Sequence, residues 1–385
     1  MLHARLNGYL TYFERLATQP TNHWNGFYMS QHEGMNFALR YQLSFACYAL
    51  GALALHPIAS RAEQQRARSA MAALIDRMLQ RRVWAYWAAR ADQRNTDIDP
   101  INEANVQYSG ALSMMLGAYR VAGGDTRYDE PFTLVWSPAD RFHYTHTSVV
   151  DTIANQMQRN RHHGVECEPG RINVSTMNHA LWGNLLHDRI FHTTYAITHD
   201  LWFEYVVKHL VQRGLRLMGR TIFQAAYTSR LWPGASFGNT FTDAWALACM
   251  VALAPDLARE LAPRFIKTVV HLPPNQNGAL VHVPVGAMWQ AKEAADEATA
   301  TGFSYLLAVE MGEAELAAAL LNFADSHLNP TDHEGGRFYN AGLAPIYTTA
   351  LFALGEAGGL QVLANAHPAS DETSMDTEEN FAVSH

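Results

Sequence analysis

Residues 34–55 read GMNFALRYQLSFACYALGALAL, and the spacing inside this stretch decides the fold class. Phe37, Tyr41, Phe45 and Tyr48 recur at steps of four, four and three, with the small Ala52 next on the same face. Bulky residues at that period predict an amphipathic helix with one heavy side. On its C-terminal side a second helix is expected over 61–79, with Met71, Leu74, Ile75 and Met78 on one face. Asp99-Pro100 then reads as a helix start, Asp as N-cap and Pro in the first turn. That helix runs to about Tyr119, before Gly123-Gly124 ends it.

The same alternation of helix and Gly- or Pro-bearing loop continues near 146–158, 178–190, 197–213, 241–253, 255–268, 297–310, 313–326 and 343–356. Toward the N-terminus, Met1-Leu2-His3-Ala4-Arg5 leads into Tyr9, Tyr12 and Phe13 without a long apolar region or a small-residue cleavage site. It reads as a surface helix and not as a signal peptide. Strand signal is thin: Phe223–Tyr227 and Leu280–Pro284 read as short hairpin pieces on loops. So many helices in antiparallel pairs predict an all-α chain folded as an α/α toroid, without an exact repeat to fix the number of hairpins. One barrel domain is expected over 1–365, followed by an acidic, disordered tail over 366–385 carrying Asp371, Glu372, Asp376, Glu378 and Glu379.

Composition narrows the function. The chain has 385 residues, is 48% hydrophobic and 17% charged, and carries 9 Trp, 16 Tyr and 17 Phe, a supply of flat rings that suits an apolar pocket. The net charge of −8, with Arg81-Arg82 as a mere pair and no Lys/Arg run, argues against nucleic acid or an anionic membrane as partner. No apolar stretch approaches the roughly 18 residues a membrane span needs. Cys47, Cys167 and Cys249 are an odd number and too few for a disulfide framework, and none lies in a CxxC pair. A cytoplasmic location and no thiolate zinc site are expected. His143, His146, His162 and His163 with Glu166 do not match a standard metal-ligand spacing and are read as solvated loop histidines. Asp97-Ile98-Asp99 is similar to the acidic motif of class II terpene cyclases, but Pro100 stands where the next acid is required. Neither a DDxxD motif nor a P-loop is present, which argues against diphosphate ionisation.

A set of short motifs carries a family resemblance over roughly residues 35–325. Arg82-Val83-Trp84 is followed by Asp99-Pro100-Ile101, Glu103, Asn105, Tyr108 and Gly110, then by Gly164-Val165-Glu166-Cys167-Glu168-Pro169 and Asp188-Arg189. Ala244-Trp245, Pro263-Arg264-Phe265 and Tyr41 in Arg40-Tyr41-Gln42-Leu43-Ser44-Phe45 complete the set. In order and spacing these resemble the linalool dehydratase/isomerase family. The resemblance implies a six-hairpin (α/α)6 barrel with a central substrate cavity and no metal or organic cofactor. It also implies acid–base chemistry that removes or moves a hydroxyl on an allylic alcohol. The bacterial relative forms a ring of subunits, which leaves homo-oligomerisation open here.

Carried over residue by residue, Cys167 falls on an active-site cysteine and can serve as acid, base or nucleophile if its neighbours tune it, or be a buried small hydrophobe. Glu168 either orients it or caps the following segment. Tyr41 matches a tyrosine at the substrate hydroxyl, or is core packing beside Phe37, Phe45 and Tyr48. Tyr108, Phe241, Trp245, Phe45, Trp24 and Thr176 are the expected substrate-contacting set, Tyr108 leaning to packing. Trp24, Phe45, Trp182 and Trp245 would shelter a carbocation, at roughly 1–2 kcal/mol each when desolvated.

Departures from the family pattern are equally specific. Ala111 stands where the family has a histidine, Thr176 where it has a second cysteine, and Gln80 where it has a disulfide cysteine. The segment Asn22–Phe27 offers no clear counterpart to the family's N-terminal aspartate. These losses imply a substrate other than linalool. Asp243 replaces a family threonine: it either interacts with a helix dipole or transfers protons from an aromatic setting.

Three functions remain open. One is a lyase, isomerase or cyclase of secondary metabolism acting on a lipophilic, terpenoid-like intermediate, including a step in which the cavity mainly fixes conformation. The second is a glycoside hydrolase or epimerase with Glu103 and Asp243 flanking a sugar. The third is an inert binder of a hydrophobic ligand.

Overall fold

In a computed structural model of the chain, described for residues 1–29, 38–92, 97–212, 222–227, 236–237, 240–271, 280–281 and 297–366, six helices form a closed inner ring. They are Leu39–Leu55, Val106–Val121, Val174–Phe191, Thr240–Met250, Glu297–Met311 and Pro345–Glu356. Each packs on the next, and the last packs on the first. Outside them run Ala4–Thr18, which precedes the first, and Arg61–Met78, His146–Arg159, His199–Tyr205, Pro255–Val269 and Ala314–His327, each between two inner helices in sequence. The fold is an (α/α)6 barrel.

The division follows from composition. Every residue of Leu39–Leu55 except Leu55 is buried, as is every residue of Val106–Val121 except Arg120. A helix apolar on all sides cannot sit at a surface, so these become the inner wall. The outer helices are one-sided: in Ala4–Thr18 the buried face is Leu6, Tyr9, Leu10, Phe13 and Leu16, at helical spacing.

Small residues let the inner helices approach closely. A Cβ built on Gly183 would lie 2.0 Å from Ser113 Oγ, and one on Gly110 would lie 2.9 Å from the Ala180 backbone nitrogen. Gly183→Ala is therefore expected to lower the unfolding free energy by about 1–3 kcal/mol, read from urea denaturation. An unchanged midpoint would mean that the two helices can separate without cost.

Several sequence expectations are corrected. The helix expected to open at Asp99 starts at Val106, because Ala104 and Asn105 have φ of 45° and 58° and a right-handed helix cannot run through them. Asp99 instead caps a turn, accepting from the Ile101 and Asn102 amides. The N-terminal helix lies on the outside as expected, with Tyr9, Leu10 and Phe13 of its inner face fully buried. Of the helix expected over 197–213, which is described to residue 212, the structure forms a short helix, His199–Tyr205, that widens into a π-helical turn over Val206–Leu210. His146 and His162 are buried rather than solvated, while His143 is exposed as expected.

Two hairpins escaped the sequence reading, Phe132–Val135 with Arg141–Tyr144 and Pro330–His333 with Gly336–Tyr339. The second turns through Glu334 and Gly335, both left-handed, as a two-residue hairpin loop requires. Strand Gln224–Tyr227 pairs with Arg171–Ile172 and Ser236–Phe237, close to the expected 223–227 piece. Leu280–Val281 pairs with Val270–His271. Residues 34–37 of the first expected helix, 282–284 of the second expected piece and the tail from 367 lie outside the described residues.

Candidate functional site

Six aromatic residues from four inner helices meet at one end of the barrel. Tyr41, Phe45, Phe241, Trp245, Phe303 and Tyr347 all lie within the first two turns of their helices, and all are buried. Phe45 sits centrally, with ring centroids 5.2 Å from Phe303, 5.2 Å from Tyr347 and 5.9 Å from Trp245. Trp245 meets Tyr41 edge-on at 4.8 Å and stacks on Phe303 at 5.7 Å. Phe241 closes the group, 5.1 Å from Phe303 and 6.2 Å from Trp245.

A fifth inner helix adds His179, which the sequence reading missed. Its ring lies 5.3 Å from both Phe45 and Trp245 and 6.2 Å from Tyr41. The Trp245 indole N–H donates to His179 Nε2 at 2.9 Å, and His179 Nδ1 lies 2.9 Å from the Tyr48 hydroxyl. Burial pushes the imidazole down to about 3. The available signal was the helix itself: on a segment buried all round, a histidine has nowhere to go but inside.

The sixth inner helix supplies Gln107. Its Oε1 accepts from the fully buried Arg40 guanidinium at 2.7 Å and from the Tyr41 hydroxyl at 3.3 Å. Arg40 also lies over the Tyr41 ring at 4.8 Å and over the Tyr86 ring at 4.2 Å. Burial raises the Tyr41 phenol well above its ordinary value, with Arg40 opposing, so Tyr41 stays a protonated donor.

Cys167, the thiol of the turn that leads into Val174–Phe191, couples electrostatically to Tyr41. It opens a tight turn in which the Cys167 amide donates to Arg171 O at 2.8 Å and the Arg171 amide to Glu168 O at 2.9 Å. The thiol donates to Arg171 O at 3.3 Å and accepts from Asn173 Nδ2 at 3.4 Å. Asn173 is also the N-cap of Val174–Phe191, and its Oδ1 accepts from the Thr176 amide and hydroxyl at 2.9 and 2.6 Å. Glu168 pairs with Arg171 at 3.0 Å. Burial pushes the Cys167 thiol up to about 12, against a smaller lowering by Arg171.

Asp243 is buried, and both of its oxygens accept backbone amides, from Ile222 at 2.6 Å and from Phe223 at 3.1 Å. Glu103 is exposed. Two expected contact residues sit elsewhere. The Tyr108 hydroxyl donates outward to Met78 O at 3.0 Å, and Trp24 packs edge-on against Phe27 at 5.3 Å with Arg77 over its ring at 5.1 Å. Trp182, whose indole donates to Cys249 O at 2.7 Å, joins neighbouring inner helices. Phe45, Phe241, Trp245 and Tyr41 are thus brought together, with Cys167 and Thr176 on an adjoining turn and helix start.

Among the described residues, no group of three or more His, Cys, Asp or Glu is arranged to hold a metal ion, and no helix is long and apolar enough to cross a membrane.

Residues 40–343 match the family model described as Linalool dehydratase/isomerase. Among solved structures, the chain is similar to an inactive variant of alpha-1,6-mannanase, GH76A of Salegentibacter sp. HEL1_6, in complex with alpha-1,6-mannotetrose. The identity is 9%, the TM-score 0.50, and the match covers 91% of this chain and 99% of that one. A second inactive variant of the same enzyme, in complex with alpha-1,6-mannotriose, matches at 9% identity and TM-score 0.49 over 93% and 99% of the two chains. At this identity the likeness shows the fold alone.

Proposed function

The chain belongs to the linalool dehydratase/isomerase family, and from that premise we propose that it is a lyase or isomerase acting on a lipophilic, terpenoid-like alcohol by proton transfer, without an organic cofactor. The observation that carries this reading is the aromatic cluster at the N-terminal ends of the inner helices, with Tyr41 in it and Cys167 coupled electrostatically to Tyr41, both held protonated. A developing allylic cation is stabilised by ring faces, and the pairing of apolar walls with two hydrogen donors fits a substrate with one hydroxyl on a hydrocarbon skeleton.

In this reading Tyr41 holds the substrate hydroxyl and the Cys167 thiol delivers its proton as the C–O bond breaks. Water leaves, and the thiolate takes a proton from the carbon next to the cation. The alkene forms and the thiol is restored. If water instead returns to the other end of the allylic cation before that carbon proton is taken, the isomer forms and the water's spare proton restores the thiol. Glu168, through Arg171, holds the turn that carries Cys167, and Thr176 with Asn173 fixes the thiol's other side. A cyclisation or a shape-guided rearrangement in the same cluster belongs to the same reading. We assign Asp243 to support of the 222–223 backbone rather than to proton transfer. A glycosidase would need two facing carboxylates. Glu103 and Asp243 are poorly suited to that role, the first exposed and the second engaged by two amides.

The test is incubation of purified protein with a panel of terpenoid alcohols in heavy water, with products read by mass spectrometry. Dehydrated or deuterium-bearing isomeric products are expected. Cys167→Ala should lower kcat by about 100-fold or more, and Tyr41→Phe by a smaller factor. Because Cys167 is pushed up to about 12 and Tyr41 is raised as well, neither should add a limb to the pH profile of kcat/KM between about 6 and 9. Tight binding without turnover would overturn the reading in favour of an inert binder, and cleavage of a mannoside would overturn it in favour of a hydrolase.

A further inference from the structure

The hydrogen bonds around His179 fix where its proton lies. An indole N–H only donates, so His179 Nε2, 2.9 Å from Trp245 Nε1, is an acceptor and carries no proton. In a neutral imidazole the proton is then on Nδ1, which donates to the Tyr48 hydroxyl at 2.9 Å. The Tyr48 O–H in turn points to Ala111 O at 3.3 Å, with Ser44 close by. The chain runs in one direction, Trp245 to His179 to Tyr48 to Ala111, and crosses four of the inner helices. Protonation of Nε2 would set one N–H against another and break the chain at Trp245.

Trp245 is the ring this chain governs, and it touches Tyr41, Phe45, Phe241 and Phe303 at once. We infer that His179, as a neutral Nδ1–H imidazole, is a positioning residue that sets the orientation of Trp245 and so the shape of the aromatic wall presented to the substrate. The inference rests on the functional reading of that site. The His179 ring cannot itself be a proton carrier while both of its nitrogens are so engaged.

The first arm of the test needs no substrate. Long-range ¹H–¹⁵N correlation spectra of the full-length protein report the His179 tautomer, and Trp245→Phe assigns the Trp245 indole resonance. The expected result is a protonated Nδ1 and a bare Nε2, unchanged from pH 8 to 5, with the Trp245 indole proton shifted downfield. His179→Phe should lose that shift, and His179→Gln, which again offers an acceptor and a donor, should recover part of it. In the second arm, kcat on whichever panel alcohol the unaltered protein turns over should fall about tenfold or more in His179→Phe, with partial rescue by Gln. A protonated Nε2 would overturn the inference. So would a Trp245 resonance indifferent to His179→Phe, or an unchanged kcat in that variant. If the unaltered protein turns over no alcohol, the functional reading fails, and the tautomer and the Trp245 resonance still decide the role of His179.

Discussion

Asp243→Ala lowers the unfolding free energy by about 2–6 kcal/mol, because it strips the acceptor from two buried backbone amides at once. Each amide left unsatisfied away from water costs about 1–3 kcal/mol. Asp243→Asn should restore less than its similar shape suggests, since the new amide group places a donor against one of the two N–H groups. Urea denaturation of the purified variants reads the effect. A proton-transferring Asp243 would give the opposite pattern, turnover lost in the Asn variant with the denaturation midpoint unmoved.

Acid should destabilise the protein well before its carboxylates are fully protonated. Burial holds His162, His187 and His199 at about 4 and His179 at about 3, and it puts His146 well below its ordinary value. In the unfolded chain each takes up a proton near pH 6.5. Above that pH neither state is protonated and these groups contribute no pH dependence. As the pH falls from 6.5 toward 4, the unfolded chain binds protons that the native state refuses. Stability is lost at up to about 1.4 kcal/mol per pH unit for each histidine.

Glu310 acts in the other direction. Burial raises it to about 8, so its contribution is present below its unfolded value and is lost as the pH rises through 8. Asp99, Asp129 and Glu356 are raised too and act in the same direction as Glu310. Between about pH 6.5 and 5 the five histidines outnumber these four carboxyls, and urea midpoints should fall through that window. A flat profile from pH 7 to 5 would refute the account. His146→Phe isolates one contributor: neither of its ring nitrogens has a hydrogen-bond partner among the described residues, so the variant should remain folded with a shallower acid limb.

The fold was more legible than the site. Leu39–Leu55 declared itself through Tyr41, Phe45 and Tyr48, and most later helices through their length and flanking Gly or Pro. The boundary at Val106 was not legible because it depends on two left-handed residues, Ala104 and Asn105, that have ordinary side chains. Of the aromatic cluster, Tyr41, Phe45, Phe241 and Trp245 could be named from motif and helical spacing. Phe303 and Tyr347 could not, since nothing local separates a ring facing the barrel axis from one packed between helices. Trp24 was misleading for that reason: an aromatic in a loop carries no direction, and this one turned toward Arg77. His179 was passed over because a lone histidine on an apolar helix has no partner in sequence. Its partners, Trp245 and Tyr48, arrive from helices far along the chain.

The ring of inner helices also bears on how the protein is made. Pro345–Glu356 seals against Leu39–Leu55, a pairing that joins nearly opposite ends of the chain. A nascent chain emerging at roughly 5–20 residues per second therefore holds an arc with two raw apolar edges until its last inner helix is released. Contacts of such long sequence separation form late and slowly. The open arc is the species most exposed to aggregation and to chaperone capture, and truncation before residue 345 would leave the chain in that state permanently.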